Sequence, residues 1–260
     1  MHAHLTSFWF QKPSLRPEEF EDAFFPRAPG ELVGRHLRFA VADGATEGVG
    51  SAAWAQILAK TFGRCAGAIL NETQLLQRAH RDWALYKERQ LLEPWSGLGG
   101  VPCFVEEGLR VGAFSTLLGL RLSDKGEGSE GQWEALAVGD SCLAQVRDDE
   151  LLRLFPLEVA CDFDNRPLLI GSNPAYNRAL AGAIKTCLGE WRTDDAIYLM
   201  TDALAAWFVR QHEARKAPWR ILRDLDTSDQ AQPFADWIRG LQSRGEMRKD
   251  DVTLLRIDVH

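Results

Sequence analysis

Leu37-Arg38-Phe39-Ala40-Val41-Ala42-Asp43-Gly44 is a short, mostly apolar run that stops abruptly at Asp-Gly, and this predicts a strand running into a turn with a carboxylate at its end. The pattern recurs. Ala196-Ile197-Tyr198-Leu199-Met200 is a buried-strand run ending at Thr201-Asp202, and Val252-Thr253-Leu254-Leu255-Arg256-Ile257 is a closing strand directly after Asp250-Asp251. Glu21-Asp22 precedes the first core strand in the same way.

Working outward from these strand ends, apolar Ala53, Trp54, Ile57, Leu58 and Phe62 recur at helical spacing and predict a helix over 50–70. Leu75, Leu76, Ala79, Trp83 and Tyr86 predict a second over 73–92. Residues 96–112, rich in Gly and Pro, read as a loop, and 113–122 as a strand. Runs at 133–138, 141–146 and 151–155, separated by Gly139-Asp140 and Asp148-Asp149, have the rhythm of an antiparallel meander. Helical stretches from Ala203 to Leu225 and from Phe234 to Met247 precede the closing strand. Strands in the middle and at the ends, with paired helices between them, indicate an α+β layered fold in place of alternating βαβ units. At 260 residues the expectation is one domain over 1–260.

A composition of 45% hydrophobic and 26% charged residues allows a sizeable core. The net charge of −7, with no long basic run, argues against a nucleic-acid partner. Cys65, Cys103, Cys142, Cys161 and Cys187 are widely spaced, odd in number and without a CxxC pair, so they read as reduced thiols. The first residues carry no basic-then-apolar leader, and no run of 18 apolar residues occurs. The expectation is a soluble, cytoplasmic protein with no membrane partner.

Carboxylates gathered at strand ends repel one another unless something positive joins them, and hard oxygen ligands suit Mg²⁺ or Mn²⁺. No His/Cys cluster competes for a softer metal; His2-x-His4 is the closest approach to one. Asp162-Phe163-Asp164-Asn165 has the DxD spacing of a phosphatase nucleophile loop, but Arg166 occupies the position where that motif needs Thr or Val. A polar loop is the better account.

In sequence order, Glu21-Asp22, Val-Ala-Asp43-Gly44, the strand with Ser115-Thr116, Gly139-Asp140-Ser141, Leu-Met-Thr201-Asp202 and Lys-Asp250-Asp251-Val-Thr253 resemble the motif series of the PPM (protein phosphatase 2C-like) Ser/Thr phosphatases, over residues 18–258. The resemblance implies a four-layer α-β-β-α sandwich with two central antiparallel sheets and a dinuclear centre of two Mn²⁺ or Mg²⁺ ions in a cleft at one end. It implies that Asp43 bridges the ions, that Asp202 and Asp250 complete one, and that Glu21 and the Gly44 carbonyl serve the other, with Asp22 behind them. Arg16 is the phosphate-binding candidate, and the Gly139-Asp140-Ser141 turn supports the hairpin. The implied nucleophile is water activated by the two ions, so no protein nucleophile is required. The implied partners are a phosphoprotein substrate and a cognate Ser/Thr kinase or its targets.

The chain departs from the family pattern in three places. Pro17 stands where the family commonly has the phosphate-gripping Arg, Ala45 follows Asp43-Gly44 where many members have His, and Ala203 replaces the Gly after Asp202. These departures keep a second reading open, a pseudophosphatase acting as a regulatory or binding module.

Overall fold

Alternation along the strands sorts the apolar residues into three separate cores, and the layering follows from that sorting. The computed structural model describes residues 1–13, 20–45, 49–65, 72–93, 102–126, 129–164, 166–180, 182–225 and 232–260. The chain opens with β1 His2–Phe10, β2 Asp22–Phe25, β3 Gly30–Val33 and β4 His36–Asp43. Helices α1 Ser51–Gly63, α2 Glu72–Tyr86 and α3 Cys103–Val111 follow, α2 running on as a π-helical segment over Lys87–Leu92. Next come β5 Phe114–Ser115, β6 Leu117–Asp124, β7 Glu130–Val138, β8 Cys142–Arg147, β9 Glu150–Phe155, β10 Ile170–Gly171, β11 Lys185–Arg192 and β12 Ala196–Met200. The chain closes with α4 Asp202–Glu213, α5 Pro218–Arg223, α6 Gln232–Ser243 and β13 Val252–Val259.

Among the described residues the strands form one six-stranded sheet, β3-β1-β13-β12-β8-β9, one five-stranded sheet, β11-β7-β6-β4-β2, and a small β10-β5 pair. All of the strand pairings are antiparallel. Side chains alternate faces along a strand. Phe39 and Val41 of β4 therefore join Leu118 and Leu120 of β6, Ile197 and Leu199 of β12, and Leu255 and Ile257 of β13 in a core between the two sheets. Ala40 and Ala42 face the other way, onto Trp54, Leu58 and Phe62 of α1 and Trp83 of α2. On the outer face of the larger sheet, Tyr198, Met200 and Leu254 pack on Trp207 and Phe208 of α4 and Phe234 and Ile238 of α6. This is the four-layer α-β-β-α sandwich expected from the sequence.

The helix layer approaches closely. Gly119 of β6 lies under the Phe62 ring, where an added Cβ would stand 2.3 Å from a ring carbon. The fully buried Trp54 and Phe62 each contribute about 1.5–3 kcal/mol of burial energy. At the start of β12, Asp195 accepts hydrogen bonds from Arg147 Nε at 2.6 Å and from Gln145 Nε2 at 2.7 Å. Gln145 also donates to the Glu190 carbonyl at 2.8 Å, which pins the two sheets together at the end away from Asp202.

Two local readings need correction, and two strands were not anticipated. Residues 96–112 are not all loop, because Cys103–Val111 is helical. Pro102 and Gly112, the latter at φ +89°, punctuate its two ends, so residues that resemble loop markers are helix boundaries. The stretch 203–225 is two helices, broken at Arg215, with φ +58°, and restarted at Pro218. The entry segment contains β1, an inner strand paired with both β13 and β3, and the edge strand β11 was also unanticipated.

Candidate functional site

Four chain segments end or begin at the same edge of the sandwich. In β2 and β4, Asp22 and Asp43 are direct antiparallel partners. In the other sheet β12 ends beside the start of β13, with Met200 opposite Leu254, so Thr201-Asp202 and Asp250-Asp251 meet there. The sequence-predicted residues Glu21, Asp22, Asp43, Gly44, Asp202 and Asp250 are thus brought to one place by the strand pairing. Arg16, with Pro17, lies outside the described residues.

Hydroxyls and one further carboxylate hold this edge in shape. Thr201 Oγ1 accepts the Thr253 amide at 2.8 Å and donates to Asp22 Oδ2 at 3.0 Å, joining the two sheets through a single side chain. Asp251, 3% exposed, accepts the Lys12 amide on Oδ1 and the Glu21 amide on Oδ2, both at 2.8 Å. It fastens the β1–β2 connection to the start of β13. Thr116 exchanges two hydrogen bonds with Asp43, its amide to the Asp43 carbonyl at 2.8 Å and its hydroxyl accepting the Asp43 amide at 3.0 Å. Gly44 donates to the Glu21 carbonyl at 3.2 Å and bridges Ser115.

The charges do not balance. Burial pushes the Asp22 carboxyl up to about 8, with the Asp251 and Asp250 charges adding to the push and the Thr201 hydrogen bond opposing it. Asp43 is raised well above the ordinary carboxylate range by burial and by Asp22, Asp250 and Asp140, and is relieved in part by Arg248. Asp140, in the turn between β7 and β8, is pushed up to about 6 chiefly by burial, with the Asp164 and Asp250 charges adding to the push and Arg248 opposing it. The buried Oδ1 atoms of Asp22 and Asp140 accept no hydrogen bond among the described residues.

Two side-chain cations enter this cluster. Lys12 Nζ lies 3.2 Å from Glu21 Oε2 and 3.4 Å from Asp250 Oδ1. Arg248 pairs with Asp202 and places Nε 3.5 Å from Asp250 Oδ2. Among the described residues no three His, Cys, Asp or Glu side chains converge into a ready-made metal cage. Sequence reasoning missed Lys12, Arg248 and the clasp role of Asp251. Arg248 stands two residues before Asp250, a position that alone does not reveal its contacts.

A family model for protein phosphatase 2C matches residues 20–250. The chain belongs to the protein phosphatase 2C family. Solved structures of phosphatases share its fold at low identity. The Mycobacterium tuberculosis serine/threonine phosphatase PstP/Ppp superposes with a TM-score of 0.61 at 15% identity, covering 100% of both chains. The PstP catalytic domain in complex with two manganese ions gives 0.58 at 15% identity, over 99% of this chain and 98% of that one. PppA of Pseudomonas aeruginosa, a regulatory component of T6SS, gives 0.53 at 16% identity, over 99% and 98%. No curated protein sequence matches the chain. No helix among the described residues is long and apolar enough to cross a membrane.

Proposed function

We propose that this member of the phosphatase 2C family is a metal-dependent phosphatase hydrolysing phosphoserine or phosphothreonine in proteins, as a cytoplasmic counterweight to a Ser/Thr kinase. The observation that carries the reading is the surplus of buried carboxylate at one sandwich edge. Asp22, Asp43, Asp140 and Asp251 are all pushed upward by burial, and among the described residues two buried carboxylate oxygens have no donor. Among the described residues Lys12 and Arg248 are fewer than the carboxylates they face. The donor set is all oxygen and hard, which fits Mn²⁺ or Mg²⁺.

In this reading Asp43 would serve both ions, Asp202 and Asp250 would hold one, and Glu21 with the Gly44 carbonyl would hold the other. The ions, when bound, supply the Lewis acidity that activates water against a phosphate monoester. The chain's own residues supply position. Asp251 fixes the Glu21 backbone, Thr116 fixes the Asp43 backbone, and Thr201 holds Asp22 behind Asp43. Asp202 opens α4, where the helix N-terminus favours its negative charge. The PstP catalytic domain, solved in complex with two manganese ions, supports a metal-dependent reading by likeness of fold.

A non-catalytic reading is favoured by one observation, the pairing of Arg248 with Asp202, which puts an arginine on a carboxylate that the reaction needs for metal. Hydrolysis of p-nitrophenyl phosphate and of a phosphothreonine peptide, with Mn²⁺ and with EDTA, separates the two. Turnover that requires the metal supports catalysis. A folded protein that binds Mn²⁺ without turning over either substrate supports the binding module, and full activity in EDTA refutes the metal-dependent mechanism.

A further inference from the structure

Arg248 is held by two carboxylates that the proposed function gives to metal. Its guanidinium pairs with Asp202, and its Nε approaches Asp250. One side chain therefore joins the carboxylate at the start of α4 to that in the turn before β13. It remains 44% exposed, so charge and not packing draws it inward.

A divalent cation on Asp202 and Asp250 takes the same oxygen lone pairs and repels the guanidinium. The side chain is anchored two residues before Asp250, so on release it stays beside the ions. There it presents a planar fork of N–H donors, the geometry that pairs bidentately with a phosphate. Lys12 is less suited. Its amide is tied to Asp251, its ammonium lies between Glu21 and Asp250, and its side chain is only 24% exposed.

Resting on the phosphatase reading, we propose that Arg248 binds the phosphate of the substrate, and that it reaches this role by surrendering Asp202 and Asp250 to the metal ions. The two halves of the proposal have opposite signs for one substitution. Loss of the guanidinium frees the carboxylates for metal, and it removes a charge-assisted hydrogen-bond donor from the phosphate.

Calorimetric titration of Mn²⁺, and then of inorganic phosphate into the Mn²⁺-loaded protein, tests this with the parent, Arg248→Gln, Arg248→Lys and Lys249→Gln. Arg248→Gln is expected to bind Mn²⁺ about fivefold more tightly, the size of one partly exposed ion pair. It is expected to bind phosphate about tenfold more weakly, the low end for a charged hydrogen bond. Arg248→Lys keeps the charge and should hold Mn²⁺ affinity within about twofold while weakening phosphate a few-fold, because the fork is lost. Lys249→Gln, which removes the same charge from the neighbouring exposed position, should change neither. Phosphate affinity unchanged in both Arg248 variants overturns the proposal, as does a Lys249→Gln shift equal to that of Arg248→Gln. Should Arg248→Gln lack a cooperative melt, the phosphate affinity of Arg248→Lys decides. A parent and variants that all fail to bind Mn²⁺ sink the phosphatase reading itself, whereas normal Mn²⁺ binding with unaltered phosphate binding strikes only the role of Arg248.

Discussion

Replacing Gly44 by alanine should damage the site through the backbone alone. A Cβ at this position would lie 2.9 Å from the Glu21 carbonyl oxygen and 2.9 Å from both the carbonyl carbon and oxygen of Ser51. Comfortable carbon contacts are about 3.5–4.0 Å, so at least half an ångström must be found. No side chain is there to swing aside: the obstructing atoms are the backbone entering β2 and the first residue of α1. Overpacking of this kind costs about 1–3 kcal/mol. With an unfolding entropy of about 2.1 cal/mol/K per residue, a chain of this length loses about 2–6 °C in Tm. The same shift moves the Gly44 and Glu21 backbones apart, so Mn²⁺ affinity should fall with it. Gly240→Ala is the control. It lies in α6, its nearest obstacle is the flexible end of Arg244 at 3.1 Å, and helix propensity predicts a gain of up to about 1 kcal/mol. Scanning calorimetry in EDTA, followed by Mn²⁺ titration, reads both quantities. If Gly44→Ala melts at or above the parent temperature and binds Mn²⁺ equally well, the close backbone approach does not organise the site.

Asp202→Asn should remove most Mn²⁺-dependent hydrolysis while keeping a cooperative melt; turnover within a few-fold of the parent would exclude Asp202 as a ligand. Asp43→Ala should weaken both Mn²⁺ sites together and Asp250→Ala chiefly one, so two tight sites surviving in Asp43→Ala would place the dinuclear centre elsewhere. In EDTA the stability should fall as pH rises from 5.5 to 8.5. Asp22 and Asp140, raised to about 8 and about 6, bind protons in the folded state that the unfolded chain has already released, and folding is penalised once they ionise. Melting temperatures that fall across this range for the parent and less steeply for Asp22→Asn are the expected result; a parent that gains stability toward pH 8.5 contradicts it.

The strand ends were legible because each combines an apolar run with an abrupt acidic stop. The layering was legible for the same reason, since Phe39-Ala40-Val41-Ala42 carries one large and one small face. β1 was hidden because its inward residues change face along the strand, Ala3 and Leu5 toward one core and Phe8 and Phe10 toward another. The edge strand β11 was hidden because Lys185, Thr186 and Glu190 give it no apolar run. Helix α3 was masked by its own boundary residues. Within the site, the carboxylates could be found from their motifs, whereas Lys12 and Arg248 could not. Their roles depend on which acidic groups lie nearby in space, and Lys12 is separated from Asp250 by 238 positions.

Asp251 clasps the backbone of Lys12 and Glu21 across more than two hundred residues, and β13 lies between β1 and β12 in the centre of its sheet. A ribosome delivers those partners in the order opposite to need. Lys12 and Glu21 gain their partner Asp251 only when the segment 250–259 has been made and has closed the sheet. Closure at such sequence separation is slow and comes late. A nascent chain that stops short of position 250 lacks Asp250, Asp251 and β13, so the carboxylate edge is assembled only when the central strand of its sheet has paired.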